Sequence, residues 1–190
     1  MLSVNNITCI RADRLLFENL NLTLKSGDII QVVGENGSGK SSLLRICAGL
    51  LKPTSGEIVC NPLSLFYFGH SLGIKADFTA RENILYQLRD INFSEDNLKN
   101  ALLKWNLISV ENQLCRHLSQ GQKQRVALAT LSLSNAKLWI LDEPLSSLDI
   151  LGMKQCESLF EQHTSQNGSI IFSTHRYIEN KKLTIETLEL

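Results

Sequence analysis

The chain has 190 residues, and its 19 lysines and arginines balance 19 aspartates and glutamates to give a formal net charge of zero. This length suits one domain with a sizeable core, and the balanced charge argues against a nucleic-acid-binding surface, where basic residues are in excess. No window approaches roughly 18 uninterrupted apolar residues and the N-terminus has no signal-peptide pattern, so we expect no direct membrane span.

The first part of the chain is predicted to form antiparallel β-strands. The pair Asn5 and Asn6 predicts a turn between two of them, and residues 11–14 predict a second turn. Residues 20–24 alternate apolar and polar side chains, as in a half-buried strand. A further turn at 25–28 leads into a strand of β-branched, apolar residues. The predicted strands cover residues 2–4, 7–10, 15–17, 20–24 and 28–33.

A glycine-rich loop follows this central strand and precedes a predicted helix over residues 42–50. The loop, Gly34-Glu35-Asn36-Gly37-Ser38-Gly39-Lys40-Ser41, fits the phosphate-binding pattern G-x-x-x-x-G-K-[ST] at every fixed position. Glycines let backbone N–H groups approach an anion, which the positive end of the helix also attracts. We expect Lys40 to reach the β- and γ-phosphates, Ser41 to ligate Mg²⁺ and Ser42 to complete the nucleotide-binding set. The alternative is a turn that is merely rich in glycine.

The middle of the chain is predicted to be mostly helical, from about Thr79 to Asn112. Ser94 is placed as an N-cap, because acidic residues follow it in the first turn. An apolar stripe at helical spacing comes next, which we interpret as core packing rather than as a cofactor contact. It comprises Leu98, Ala101, Leu102 and Trp105.

The remaining elements alternate between strands and helices, which predicts a parallel α/β core. Asn167 and Gly168 are expected to close the last helix, and the tail over 177–190 is a candidate edge strand. We therefore predict one domain over residues 1–190, with a helical subdomain over approximately 79–133 inserted into the core. After a turn at 53–56, strands are predicted over 57–60, 63–68, 138–141 and 169–173, and helices over 118–133 and 150–165.

Two acidic residues, Asp142 and Glu143, end the predicted strand 138–141. A charge at the end of a buried strand is costly unless it is paired or bound to a metal, and enzymes with a phosphate-binding loop need an aspartate there to hold Mg²⁺. Asp142 is therefore the second candidate metal ligand, and Glu143 is the candidate general base for the attacking water. The alternative is that both acids simply meet solvent.

A second anion site is predicted where the helix over 118–133 begins. Ser119 is placed as its N-cap, and Gly121 lies among the exposed N–H groups. The stretch Leu118-Ser119-Gln120-Gly121-Gln122 resembles the signature L-S-G-G-Q of the ATP-binding cassette (ABC) ATPases, with Gln120 replacing one glycine. The resemblance implies a P-loop α/β cassette with an antiparallel β-subdomain and an inserted helical subdomain. It also implies that the chain hydrolyses ATP with Mg²⁺.

Two further motifs follow in the order of the ABC family. Ser147-Leu148-Asp149 resembles its D-loop, and His175 resembles the switch histidine that contacts the γ-phosphate. The alternative for His175 is an ordinary surface or core histidine. In that family, ATP at the P-loop of one cassette is capped by the signature of another. The resemblance therefore implies a homodimer in which Ser119, Gly121, Gln122 and Asp149 contribute to nucleotide binding.

Two positions depart from the pattern of the ABC family. Arg11 stands where the family usually places an aromatic residue on the adenine, and we predict that its guanidinium stacks on the base. The alternative is a solvated arginine. His70 stands where the family has a glutamine that touches Mg²⁺ and the water. Since imidazole changes charge near neutral pH, we predict a steeper pH response of turnover between about pH 6 and 8 than in cassettes with glutamine.

Four features resemble one subfamily: the stretch from Phe68 to Lys75, the stretch from Leu138 to Pro144, the missing aromatic residue and the short chain. It comprises the ATP-binding subunits of the cytochrome c maturation system, or haem exporter. The resemblance implies a peripheral subunit on the cytoplasmic face of the bacterial inner membrane. There it binds integral-membrane transporter subunits and powers release of a haem-loaded chaperone. Five scattered cysteines without a C-x-x-C pair fit this reducing compartment.

Three other functions are weighed against this one. A cassette that serves a different export or import system stays open. A soluble cassette acting on ribosomes or DNA is disfavoured by the neutral charge and by the single copy of each motif. A GTP-binding switch is disfavoured because the sequence has no N-K-x-D element that would read guanine.

Overall fold

The computed structural model describes residues 2–60, 64–89, 91–175, 177–178 and 183–190. The chain divides into two compact units. The first, called the core unit, comprises Met1–His70, Ala136–Glu143 and Phe160–Leu190. The second, called the helical unit, comprises Ser71–Asn135 and Pro144–Leu159.

The described residues form eight β-strands and five α-helices. Two short 3-10 helices lie at Ile108–Val110 and Cys115–His117. The strands are β1 (Leu2–Arg11), β2 (Arg14–Leu24), β3 (Ile29–Val33), β4 (Ser55–Cys60), β5 (Leu65–Phe68), β6 (Leu138–Leu141), β7 (Ser169–Thr174) and β8 (Ile185–Glu189). The helices are α1 (Lys40–Cys47), α2 (Ala80–Gln87), α3 (Glu95–Lys104), α4 (Gln120–Leu133) and α5 (Ile150–Ser165).

A parallel sheet in the order β5-β6-β7-β3-β8 forms the centre of the core unit. Every neighbouring pair in this order is parallel. Strands β3 and β6 are buried at every position, as expected where both faces of a parallel sheet are covered. The predicted parallel α/β core is confirmed, and the edge strand suggested for the tail is present as β8. Residue 63, predicted to begin β5, lies outside the described residues.

An antiparallel sheet in the order β2-β1-β4 also belongs to the core unit, among the residues described. Ala12 and Asp13 form the two-residue turn between β1 and β2, and both have positive φ, 46° and 59°. This is the conformation of a type I′ hairpin, which matches the twist of its strands. The turn predicted over 11–14 is therefore confirmed.

The turn predicted at Asn5 and Asn6 is wrong, because β1 runs through both residues. The pairing register of β1 with β2 shifts between Val4 and Ile7, and Asn6 has a φ of 48°. Asparagine tolerates this left-handed conformation, and it forms a bulge here instead of a chain reversal. The backbone N–H of Asn6 donates to Oδ1 of Asn21 on β2 at 2.9 Å, so the irregular backbone keeps a hydrogen bond.

The helical unit contains α2, α3 and α4, and the stripe interpreted as core packing is buried in it. Ser94 is the N-cap of α3 as predicted, and its hydroxyl accepts a hydrogen bond from the N–H of Asn97 at 3.1 Å. Asn83 on α2 is fully buried, and its Oδ1 accepts from the N–H of Lys75 at 2.8 Å. Its amide therefore braces the loop that precedes α2.

Helix α5 has the bounds predicted for it, and its end is closed as expected by the next residues. Asn167 has a φ of 62°, and the N–H of Gly168 donates to the carbonyl of His163 at 2.9 Å. The His163 ring stacks on Trp139 of β6, with centroids 3.5 Å apart and planes 7° from parallel. His163 is 9 % exposed, and burial lowers its pKa to about 4.

This histidine predicts a loss of stability in mild acid. An unfolded histidine has a pKa of about 6.5, so the unfolded chain binds more protons than the folded chain between about pH 6.5 and 4. The free energy of unfolding should fall through that window, by on the order of 2 kcal/mol at its lower end. Urea unfolding of the protein and of a His163→Phe variant measures it. The variant should have the shallower pH slope, and equal slopes would exclude His163 as the cause.

Candidate functional site

The glycine-rich loop joins β3 to α1 at the carboxyl edge of the parallel sheet. Gly37 and Gly39 have φ values of 81° and 113°, a region that glycine adopts without steric cost. At Gly34 the reason for glycine is different, because a Cβ there would lie 2.4 Å from the carbonyl oxygen of Leu190. The N–H of Leu190 donates to the carbonyl of Val33 at 2.9 Å, so the tail backbone packs directly against the loop.

Lys40 is buried at the start of α1, and its side chain folds back onto the backbone of the glycine-rich loop. Its Nζ donates to the carbonyl oxygens of Gly34 and Glu35, each at 2.8 Å. The N–H of Ser38 also donates to Glu35, at 3.3 Å. No acidic side chain lies in the first turn of α1, so the positive end of this helix faces the loop without a counter-charge from that turn.

A cavity of about 480 Å³ adjoins the loop and the start of α1. It brings most of the predicted phosphate-loop residues together with His70 and Glu143, which follow β5 and β6. All of the lining residues belong to the core unit. They are Leu16, Asn36, Gly37, Gly39, Lys40, Ser41, Ser42, Arg45, His70 and Glu143.

Asp142 and Glu143 follow β6 directly, and both are bonded to Ser173 on β7. The Ser173 hydroxyl donates to Oδ1 of Asp142 at 2.7 Å and accepts from the N–H of Glu143 at 2.8 Å. The other oxygen of Asp142, Oδ2, is buried without a hydrogen-bond partner among the described residues. A buried polar atom without a partner is costly, and a divalent cation bound to it would remove that cost. These residues therefore fit Mg²⁺.

Glu143 has a strained backbone and a fixed side chain. Its φ is 54°, which is unusual for a residue with a Cβ and is found at sites that the surrounding structure holds in place. Nε2 of His175 lies 2.6 Å from Oε1 of Glu143. The predicted switch histidine and the predicted general base are thus in contact, and the Glu143 side chain keeps 20 % of its surface exposed.

Arg11, the predicted adenine contact, is engaged elsewhere in this structure. Its Nη2 donates to the carbonyl of Lys52 at 3.0 Å, and Arg11 is not among the described residues that line the cavity. Stacking of Arg11 on a base therefore stays a prediction, and it would require the hydrogen bond to Lys52 to break.

Three residues near the site were not found by the sequence analysis. Leu16 lines the cavity as the extra residue of a bulge, since the adjacent residues Cys9 and Ile10 of β1 pair with Phe17 and Leu15 of β2. Bulges depend on pairing, which the sequence does not display. Sequence position gives more evidence for the other two residues, Ser173 and Arg45. Ser173 is the polar residue at the carboxyl end of the predicted apolar strand 169–173, at the edge where the acids lie. Arg45 comes four residues after Ser41 in the predicted helix.

Other predicted site residues belong to the helical unit. Ser119 is the N-cap of α4 as predicted, with its hydroxyl accepting from the N–H of Gln122 at 3.2 Å. The Gln122 side chain completes a capping box, since its Oε1 accepts from the N–H of Ser119 at 2.9 Å. A Cβ on Gly121 would lie 2.8 Å from the carbonyl oxygen of Ser147, so the helix start packs closely on the predicted D-loop.

Asp149 is tied to its own chain by three hydrogen bonds. Its Oδ1 accepts from the N–H of Gly152 at 2.8 Å, and both carboxylate oxygens accept from Nη2 of Arg125, at 2.8 and 2.9 Å. The bond from Gly152 and the Arg125 guanidinium lower the pKa of Asp149. The carboxylate therefore holds the D-loop to α4, and its predicted contact with a nucleotide stays a prediction.

In the part of the chain that the structure describes, no helix combines the length and apolar character needed to cross a bilayer. The same residues contain no group of three or more His, Cys, Asp or Glu side chains placed to hold a metal. Mg²⁺ commonly needs only one or two carboxylates together with substrate phosphates.

Comparison with known proteins gives three matches of interest. The model of the family described as "ABC transporter" matches residues 17–146. The cytochrome c biogenesis ATP-binding export protein CcmA of Shewanella frigidimarina is 42% identical over 187 residues, which cover 93% of this chain and 87% of that protein. The protein of the same name from Aliivibrio fischeri is 43% identical over 197 residues, covering 96% of this chain and 97% of that protein.

Solved structures share the fold. A dimeric structure of a post-hydrolysis state of an ATP-binding cassette, bound to ADP and Pi, has a TM-score of 0.82 to this chain at 23% identity. The match covers 93% of this chain and 88% of that one. At this identity the likeness concerns the fold alone, and the α/β P-loop cassette predicted from the sequence is confirmed.

Proposed function

This chain belongs to the ABC transporter family, and from that premise we propose how its residues hydrolyse ATP in the service of cytochrome c biogenesis. The chain is an ATP-hydrolysing ABC subunit of the kind named for cytochrome c biogenesis. The observation that carries the site assignment is the cavity, which places Lys40, Ser41 and Glu143 around one space at the end of the parallel strands.

The loop is proposed to bind the β- and γ-phosphates of ATP. Its glycines expose backbone N–H groups, and the start of α1 adds a positive field to them. Lys40 supplies a full charge from a position fixed by the carbonyls of Gly34 and Glu35. Ser41 and Ser42 follow Lys40 directly and line the same cavity, and their hydroxyls are proposed to contact the metal or a phosphate. Nucleotide binding thus rests on groups that are already in place.

Asp142 and Ser41 are proposed to hold Mg²⁺. When bound there, Mg²⁺ would supply positive charge that offsets the negative charge of the phosphates. The Ser173 hydroxyl donates to Oδ1 of Asp142 at 2.7 Å and so orients this carboxylate. Oδ2 has no hydrogen-bond partner among the described residues and is the oxygen proposed to bind the ion.

Glu143 is proposed to accept a proton from the water that attacks the γ-phosphate. The oxygen of the water bonds to phosphorus as the bond to the β-γ bridging oxygen breaks, which gives ADP and inorganic phosphate. His175 lies against Oε1 of Glu143 and orients the carboxylate. Ser173 fixes the Glu143 backbone at 2.8 Å, so the base is held from both sides.

His70, which lines the same cavity as Glu143, is proposed to touch the attacking water. Because glutamine can also hydrogen-bond a water and alanine cannot, kcat should stay close to the wild-type value in His70→Gln and fall in His70→Ala. Steady-state phosphate release measures the three proteins. Wild-type kcat in His70→Ala would remove His70 from the mechanism.

The active form is proposed to be a homodimer that encloses two ATP molecules. Each chain carries one phosphate loop in its core unit and one signature, with Ser119, Gly121 and Gln122, in its helical unit. We further propose that the whole chain is a single cassette in which the helical unit is the inserted subdomain. The dimeric structure of the similar ATP-binding cassette supports the proposal of a homodimer.

The complex is proposed to lie at the cytoplasmic face of the bacterial inner membrane, with integral-membrane subunits as partners and haem-loaded chaperone release as its output. The names of the curated relatives support it. Deletion of the chain in its own host should abolish c-type cytochromes, measured by haem staining. The wild-type chain should restore them, whereas a Glu143→Gln chain should not. Normal c-type cytochromes after deletion would instead favour a cassette for another transported substrate.

A further inference from the structure

The cavity contains a cationic residue that the mechanism above does not use. Arg45 on α1 lines it together with Ser41 and Ser42. Arg45 is exposed, and it forms no ion pair within the part of the chain that the structure describes. An arginine without a carboxylate partner on the wall of an anion site is available to a ligand.

Helix geometry directs this side chain into the cavity. Arg45 follows Ser41 by four residues and Ser42 by three, so all three residues share one face of α1. Long side chains on a helix lean towards its N-terminus, so the guanidinium extends back over the turn that carries the two serines. The backbone of Arg45 is fixed as well, because its carbonyl accepts from the N–H of Leu50 at 2.8 Å.

The position of Arg45 suits the nucleoside part of a nucleotide better than its terminal phosphates. The loop and Lys40, at the very start of α1, are proposed to bind the β- and γ-phosphates. Arg45 lies about 6 Å further along the helix axis than Ser41. The apolar side chain of Leu16, presented by the bulge in β2, lines the same cavity. A planar guanidinium and an apolar side chain are the contacts that a flat base and its ribose favour.

We infer that Arg45 binds the base and ribose of ATP in this chain, where no aromatic residue stands at position 11. This inference rests on the proposed ATP-binding function. It assigns to α1 a contact that the sequence had suggested for Arg11, whose guanidinium is bonded to the carbonyl of Lys52.

Calorimetric titration of the full chain with ATP, ADP and inorganic triphosphate tests the inference. Arg45→Ala should raise the Kd of ATP and of ADP about tenfold, the effect of one charge-assisted or stacking contact. The Kd of inorganic triphosphate, which has no nucleoside, should stay within about twofold of the wild-type value. Arg45→Lys should bind ATP and ADP almost as weakly as Arg45→Ala does, because an ammonium group is not planar and cannot stack on a base. Lys99→Ala, which removes an exposed charge from α3, is the matched control and should bind all three ligands normally.

Three results would overturn the inference: equal weakening of all three ligands, wild-type affinity in Arg45→Ala, or loss of nucleoside affinity in Arg11→Ala alone. Thermal unfolding of each variant verifies that it is folded, as expected for an exposed side chain. Failure of the wild-type chain itself to bind any nucleotide would overturn the proposed function together with the inference. The two failures are therefore distinguishable.

Discussion

Replacing Glu143 by glutamine is expected to lower kcat for ATP hydrolysis by roughly 10²–10⁴-fold, the range for loss of a general base. Glutamine has nearly the same shape and can still hydrogen-bond His175, but it cannot take a proton from water. The phosphate loop and Lys40 are unchanged by this substitution, so the Kd of ATP should stay within about twofold. ATP-loaded chains should then accumulate as the proposed closed homodimer.

Single-turnover hydrolysis and light scattering in the presence of Mg²⁺ and ATP measure these two effects. Glu18→Gln provides a matched control, because Glu18 is an exposed glutamate on β2 of the same unit. It should hydrolyse ATP at the wild-type rate. A Glu143→Gln protein that keeps more than about a tenth of wild-type turnover would show that another group activates the water.

Lys40→Ala is expected to impair binding and turnover together. The substitution removes the charge that we propose contacts the phosphates, and it leaves the carbonyls of Gly34 and Glu35 without the hydrogen bonds that they receive from Nζ. Loss of charge-assisted hydrogen bonds costs on the order of 3 kcal/mol, which corresponds to more than 100-fold in kcat/KM. Because the lysine also braces the loop, the midpoint of thermal unfolding should fall by a few degrees, on the order expected for about 1 kcal/mol.

Steady-state kinetics and thermal unfolding test the two parts separately. Lys40→Arg is a useful companion variant, since it keeps the charge but has a larger head group in a position that is only 6% exposed. Its midpoint of thermal unfolding should be close to the wild-type value, whereas its kcat/KM should be clearly lower than that of the wild type. If Lys40→Ala kept kcat/KM within about threefold of wild type, the loop would not be the phosphate site.

The sequence was informative where chemistry requires fixed residue types at fixed spacing. The sequence predicts a phosphate loop and a pair of acidic residues, and the structure brings Lys40 and Glu143 to one cavity. The parallel core was also predictable, because buried strands such as β3 and β6 are apolar along their whole length. Capping residues such as Ser94 and Ser119 were recognised because a side chain at a helix start has one local function.

Features that depend on pairing between distant segments were not predictable in this way. Asn5 and Asn6 have the composition of a turn, and only the partner strand makes them a bulge in β1. The bulge that presents Leu16 to the cavity depends in the same way on the register between β1 and β2. The close packing of Leu190 on Gly34 joins residues that are far apart in the sequence, so no local sequence pattern predicts it.

The role of Asp149 shows the same limit in the helical unit. Its motif suggests a nucleotide contact, which stays a prediction, but does not indicate that its carboxylate is bonded to Arg125 and to the N–H of Gly152. A motif names the residues of a site, whereas the partner of each side chain follows from packing. The same holds for Ser173, which holds both Asp142 and Glu143 although no motif includes it.

Phosphate release by the purified chain with Mg²⁺ and ATP, together with its proposed membrane partners, tests the central claim most directly. The proposed mechanism predicts steady release by the wild-type protein that is lost in Glu143→Gln and in Lys40→Ala and is retained in Glu18→Gln. No release by the wild-type complex, or release that survives both active-site substitutions, would contradict it.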